Sequence, residues 1–316
     1  MKQFKKFKNI TIISIMTTFG IYLINQIIFF FSGVNDTLYP KNGSYYHWRF
    51  GNIFYTKQGK GRPLLLIHHL SSDSSNIEYH KIIEPLSKNH TVYSIDFIGC
   101  GRSDKPKITY TSYLYVQLIN DFIKNVIKGK TDVISCGKSC SIILQASNIE
   151  QENFHKLLFI NPENVAASNA FPSKRKILLK YLIEFPILGT LIYNILESQI
   201  KIEQRFQKKY FHSPAKIKRS YINAYYESAH YSGSASKYLY ASIKSGYLNC
   251  HLISALKNTN HSIYLAIGED IPDAQNTLEQ YQVLNPSIEG SFIKNTKHLP
   301  QLEDAQSVLN LCNIFF

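Results

Sequence analysis

Four short apolar runs recur along the chain: "PLLLIHH" at 63–69, "TVYSIDF" at 91–97, "TDVISC" at 131–136 and "KLLFIN" at 156–161. Each has the length of a strand. Each is a candidate for a buried strand. The segments between them, "SSNIEYHKIIEPLSKN", "SYLYVQLINDFIKNVIKG" (112–129) and "SCSIILQAS" (139–147), carry apolar residues at helical spacing. Strands that alternate with helices must run parallel, because parallel neighbours need a long crossover, and the helices then cover both faces of the sheet. The chain is therefore expected to be α/β. Ahead of this pattern, "YHWRFGNIFYTKQG" suits a hairpin. From about 165 to 258 the rhythm is helical only. Then "SIYLAIG" (262–268), a helix near 275–284, "GSFIKN" (290–295) and a terminal helix resume the alternation.

The N-terminus is of another kind. Lys2, Lys5, Lys6 and Lys8 precede an uncharged run from Asn9 to Phe31. As a helix rising about 1.5 Å per residue, that run spans roughly 34 Å, enough for a bilayer core. No Ala-x-Ala-like cleavage site follows "FFFSGVND". Residues 1–31 are expected to be an uncleaved, single-pass cell-membrane anchor and 32–45 a linker. The lysines before the run place the N-terminus in the cytoplasm and the remainder outside.

The 316 residues carry a net charge of +13, yet the lysines are scattered and no nucleic-acid motif accompanies them. Nucleic acid is not expected as a partner; a basic solvated surface or an anionic membrane suits the charge. Five cysteines, Cys100, Cys136, Cys140, Cys250 and Cys312, fit neither a disulfide framework nor zinc-ligand spacing.

"CGKSCS" at 136–141 allows two readings. A phosphate-binding P-loop needs Gly-x-x-x-x-Gly-Lys-Ser/Thr, but its first glycine falls on Asp132, a carboxylate where phosphates would sit. A nucleophile elbow needs serine on a sharp strand-to-helix turn with small residues two before and two after. Gly137-Lys138-Ser139-Cys140-Ser141, between a buried strand and an apolar helix, fits that reading.

Several stretches together resemble the α/β-hydrolase superfamily. "PLLLIHHLSSDSS" resembles its strand, His-Gly and oxyanion loop. "YSIDFIGCGRSDKP" resembles its Asp-x-x-Gly-x-Gly-x-Ser turn at Asp96, Gly99, Gly101 and Ser103. "ISCGKSCSIIL" resembles the elbow, and "KHLPQLEDAQSVLNLCNIFF" its His-x-Pro-x-x-Glu segment. The resemblance covers about residues 45–316. It implies a mostly parallel eight-stranded sheet, with a core at 46–164 and 259–316 and a helical cap at 165–258.

It further implies a serine hydrolase. Ser139 is the expected nucleophile and His298 its base. Asp270 is the first-ranked acid, Glu163 the second and Asp273 the third, because the usual Gly-x-x-Asp position holds Ile271. Leu70 and Cys140 N–H groups would form the oxyanion hole. The glycine that normally follows His68 is His69, a departure that bears on this hole. The expected substrate is a small or lipid-like ester, with no metal or organic cofactor. A cofactor-free peroxidase or acyltransferase would use the same triad. The rival from another class is a catalytically silent binding or scaffold protein.

Overall fold

The computed structural model describes residues 2–34, 36–38, 42–170 and 172–316. Eight strands form one sheet: β1 (Ser44–Trp48), β2 (Gly51–Gln58), β3 (Arg62–Ile67), β4 (His90–Ile95), β5 (Thr131–Cys136), β6 (Phe154–Ile160), β7 (Ser262–Gly268) and β8 (Glu289–Ile293). Their order is β1-β2-β4-β3-β5-β6-β7-β8. β2 pairs antiparallel with β1 and with β4; every other pairing is parallel. The expected hairpin is β1–β2, closed between Trp48 and Gly51.

The strands are rich in apolar residues because the sheet is covered on both sides. Leu65, Ile67, Val133, Leu157, Phe159 and Leu265 enter one core cluster. Their neighbours Leu64, Leu66, Ile134, Leu158, Ile160 and Ala266 enter the other. Successive strand residues point to opposite faces, so each strand feeds two cores.

The helices are α1 (Lys2–Ser32), α2 (His80–Leu86), α3 (Ser112–Phe122) and α4 (Lys138–Ile149), followed by α5 (Val165–Ser168), α6 (Lys174–Glu184), α7 (Leu188–Leu196), α8 (Gln199–Arg205), α9 (Arg219–His230), α10 (Lys237–Ser245) and α11 (Leu252–Asn258). After β7 come α12 (Ala274–Leu284), α13 (Pro300–Glu303) and α14 (Ala305–Phe315). Among the described residues, everything regular between β6 and β7 is helical. Part of the expected linker, residues 35 and 39–41, lies outside the described residues. All five cysteines are free and buried.

α1 contains a candidate span, Phe4–Ser32, long and apolar enough by composition to cross a membrane. Its C-terminal part rests on the helices between β6 and β7. Asn25, buried, donates to Ile187 O at 3.1 Å and accepts from Asn194 Nδ2 at 2.9 Å.

Candidate functional site

β5 ends at Cys136 and α4 begins at Lys138, so the turn between them is the single residue Gly137, with φ +58° and ψ −128°. Its N–H donates to Ile160 O at 2.9 Å, which pins the turn to β6. In an elbow, the strained residue is the one whose side chain projects into the site. Here that residue has no side chain.

Ser139 therefore does not take the role expected of it. It lies two residues later, in the first turn of α4, fully buried, and its hydroxyl donates to His68 O at 2.6 Å. The hydroxyl faces the backbone at the end of β3 instead of a histidine. The small–elbow–small triplet that the backbone forms is Ser135, Gly137 and Ser139. Cys140 also departs from expectation, because its N–H donates to Gly137 O at 3.1 Å and is not free for an oxyanion. The elbow N–H left without an intrahelical acceptor is that of Lys138, at the first position of α4. Leu70, the other expected donor, does line the neighbouring cavity.

His69 explains how the space above Gly137 is filled. A Cβ placed on Gly137 would lie 2.1 Å from His69 Nδ1, 2.9 Å from its Cε1 and 3.1 Å from His298 Nε2. The His69 ring thus occupies the place into which a nucleophilic side chain would project, and His298 stands just beyond it. The two rings meet edge to face, with centroids 4.6 Å apart at 89°. His69 is held from behind: its N–H donates to Glu78 Oε2 at 2.9 Å, and Tyr225 donates to Glu78 Oε1 at 2.8 Å. Burial pushes the Glu78 carboxyl up to about 8, so it is mostly protonated at neutral pH.

His298 follows β8, as its motif implies, and stacks on Tyr210 with centroids 5.7 Å apart. Burial, reinforced by the Lys209 ammonium, lowers its pKa to about 4. The imidazole is neutral at pH 7. Its main chain is fixed by Asn161, whose side-chain amide donates to Lys297 O at 3.0 Å and His298 O at 2.9 Å.

No expected acid reaches that ring. Asp270 Oδ2 pairs with His212 Nδ1 at 2.7 Å on the half-exposed rim. Glu163 Oε2 pairs with Lys138 Nζ at 2.7 Å, and Lys138 also donates to Asn249 Oδ1 at 3.1 Å. Asp273 is exposed, with φ +62°, at the start of α12. The physical reason is the one-residue offset already visible after Gly268: Ile271 holds the usual acid position, while Asp270 and Glu163, though also on the cavity wall, are paired with His212 and Lys138.

That cavity encloses about 720 Å³ and is bounded by His69, Leu70, Tyr210, Ile243, Ile271 and His298. Its charged lining is Lys138, Arg205, Lys208, Lys209, Lys244 and Lys297 against Glu163 and Asp270. Cations thus outnumber carboxylates on the cavity wall. Arg205 is held by Glu197 Oε1 at 2.9 Å and Asp73 Oδ2 at 3.1 Å. Burial pushes Glu197 up to about 7, with Arg205 opposing that shift. Among the described residues no group of three or more His, Cys, Asp or Glu is placed to hold a metal.

Asn161 was not singled out by sequence, and Gly137 and Glu303 were read only as parts of motifs, yet all three shape the site. Glu303 accepts from His212 N at 2.9 Å and Ser213 N at 2.8 Å, tying the inserted helices to the loop that carries His298. Its place in the His-x-Pro-x-x-Glu segment was the available signal.

No family model matches the chain. Over 108 residues it is 28% identical to 2-hydroxy-6-oxo-6-(2'-aminophenyl)hexa-2,4-dienoic acid hydrolase of Metapseudomonas resinovorans, a match covering 34% of this chain and 37% of that protein. The chain thus aligns with about a third of the length of that relative. Among solved structures it is similar to the carboxylesterase CesB of Bacillus subtilis, with TM-score 0.69 and 17% identity over 93% of this chain and 97% of that one. It is similar also to a membrane phospholipase A described as a bacterial virulence factor, with TM-score 0.69 and 16% identity over 100% of this chain and 98% of the other.

Proposed function

Because the chain has the α/β-hydrolase fold, with esterases and other hydrolases as its homologues and structural neighbours, we propose that it takes a lipid-like anion into its cavity and forms no acyl-enzyme on Ser139. The ligand class is an ester with an anionic head, or the fatty acid released from one. The observation that carries this reading is glycine at the elbow with the His69 ring in the nucleophile's place. An acyltransferase or a cofactor-free peroxidase of this fold would need the same missing side chain. Lysines at the cavity wall supply the attraction for a carboxylate or phosphate, and Ile243, Ile271 and Leu70 the apolar contact. The helices from 165 to 258 act as the cap, on the core formed by 46–164 and 259–316. Residues 1–31 anchor the chain in the cell membrane with the N-terminus cytoplasmic and the body outside, so that lipid is the ligand source at hand.

One observation favours a second reading, hydrolysis without an acyl-enzyme. His298 keeps a neutral imidazole at the cavity, able to accept a proton from water. The Leu70 and Lys138 N–H groups would then face the oxyanion.

Displacement of a fluorescent fatty acid by oleate from the purified protein tests the binding reading. Binding at roughly micromolar concentration, weakened by Lys208→Gln with Lys209→Gln, is expected. Failure of any fatty acid or lysophospholipid to bind removes it. Turnover of short esters that is lost in His298→Ala but kept in Ser139→Ala establishes the second reading. Fluorophosphonate labelling of wild-type Ser139 refutes both.

A further inference from the structure

The α6–α7 hairpin carries an outward apolar face with no protein cover. Leu178, Tyr181, Leu182 and Phe185 on the first arm, and Leu188, Ile192, Ile195 and Leu196 on the second, are all exposed. Their spacing of three and four residues places each set along one side of its helix. The two helices bend by 104°. Between Leu178 and Leu196 the charged residues are Lys180 and Glu184, which neutralise each other at 2.8 Å with Lys180 buried. Beyond both ends the exposed charges are basic, Lys174, Arg175 and Lys176 on one side and Lys201 on the other, while Glu197, next to Leu196, is buried against Arg205. An uncovered apolar patch flanked by cations is what an interfacial membrane element presents to anionic headgroups.

The hairpin also sits at a definite height. Its bend is clamped to α1 through Asn25, which donates to Ile187 O and accepts from Asn194. Counting from Asn9, where the uncharged run begins, Asn25 is about 24 Å along the helix axis. A hydrocarbon core is about 30 Å thick. The bend therefore meets α1 inside the far leaflet, a few ångströms below its headgroups, and not in free solvent.

We infer that the α6–α7 hairpin is a second membrane contact, lying in the outer face of the bilayer that α1 crosses. The inference rests on α1 being a membrane span. Ile187, at φ +60°, holds the bend that lets the two arms spread along one plane. The lipid face is thereby brought to the helices that also contribute the cavity wall.

The full-length chain in nanodiscs made with brominated phospholipids tests this, with tryptophan placed singly by Phe19→Trp, Phe185→Trp and Ile314→Trp. Phe19 reports on α1, Phe185 on the hairpin, and Ile314, exposed on α14, is the control. The native Trp48, buried on β1, gives a constant background. Insertion to about 5–10 Å should make Phe185→Trp lose emission to brominated lipid, as Phe19→Trp does, while Ile314→Trp keeps its emission. Quenching of Phe19→Trp alone overturns the hairpin contact and leaves the anchor standing. Quenching of neither removes the inference together with its premise. A Phe185→Trp emission that is blue-shifted but unquenched shows that protein, not lipid, covers the face, and also overturns it.

Discussion

Restoring a hydroxyl at the elbow requires two substitutions, and the structure says in which combination. Gly137→Ser alone places a Cβ 2.1 Å from His69 Nδ1, far inside any tolerable contact. It also forces a side chain onto φ +58°, ψ −128°, a conformation costing about 1–3 kcal/mol outside glycine. The single variant should lose stability and label with no fluorophosphonate. His69→Gly removes the ring. In the double variant His298 Nε2 lies 3.1 Å from the Cβ position, a tight contact, so the ring must yield by a few tenths of an ångström before the new hydroxyl can meet it as nucleophile to base. The acid is still missing, and lack of that orienting carboxylate costs about four orders of magnitude in turnover. Ile271→Asp, on the cavity wall beside His298, is the third change and should recover part of that loss. The assay is fluorophosphonate labelling followed by peptide mapping, with thermal unfolding to show that each variant is folded. Labelling of the wild-type protein at Ser139 would refute the assignment of the elbow to Gly137. A folded triple variant that never labels would refute the claim that His69 alone blocks the nucleophile's place.

Ser139→Ala should cost about 1 kcal/mol, the ordinary worth of its hydrogen bond to His68 O, and leave ligand binding and any turnover unchanged; loss of turnover would contradict this. Glu78→Gln should flatten the pH dependence of stability. The folded-state pKa of Glu78 is raised by burial from 4.5 to about 8, so its contribution is complete below 4.5 and is lost as pH rises through 8. The variant should match wild type in melting temperature near pH 4.5 and exceed it above pH 8; an unchanged gap would show that Glu78 is ionised in the fold. Protease added to intact cells should remove residues 45–316 from the anchor, whereas a protected body, or a mature chain beginning near 33, would refute the anchored topology. Asp270→Asn should leave any His298-dependent turnover within a fewfold of wild type, since its partner is His212.

The sheet was legible because β3 and the centre of β5, Val133–Ile134, are buried on both faces and carry apolar side chains to each. The Asp96 turn was legible because glycines at 99 and 101 adopt φ +89° and +46°, which side chains resist. The elbow misled for a specific reason. Small residues stand at 135, 137, 139 and 141, so two overlapping triplets satisfy the spacing, and only the backbone angles at 137 distinguish them. The sequence carries no record of φ and ψ at a glycine. The cationic lining was hidden differently. Phe206–Tyr210 reads as the continuation of an α-helix but forms a π-helical turn, with Lys208 and Lys209 at the cavity. The extra residue in such a turn rotates the following side chains out of their expected phase. That rotation comes from packing against the core and not from local periodicity.

The interlocking of Gly137 with His69 also constrains the order in which this site can change. From the present pair, a serine at 137 is blocked while the imidazole remains, whereas His69→Gly leaves both positions small and the backbone undisturbed. A path back to a nucleophile must therefore pass first through loss of the histidine, a step that by itself adds no chemistry. In the opposite direction, a histidine could not enter at 69 while any side chain stood on the elbow. The two positions therefore fix an order: the histidine must go before a side chain can enter at 137, and the reverse order is blocked by contact.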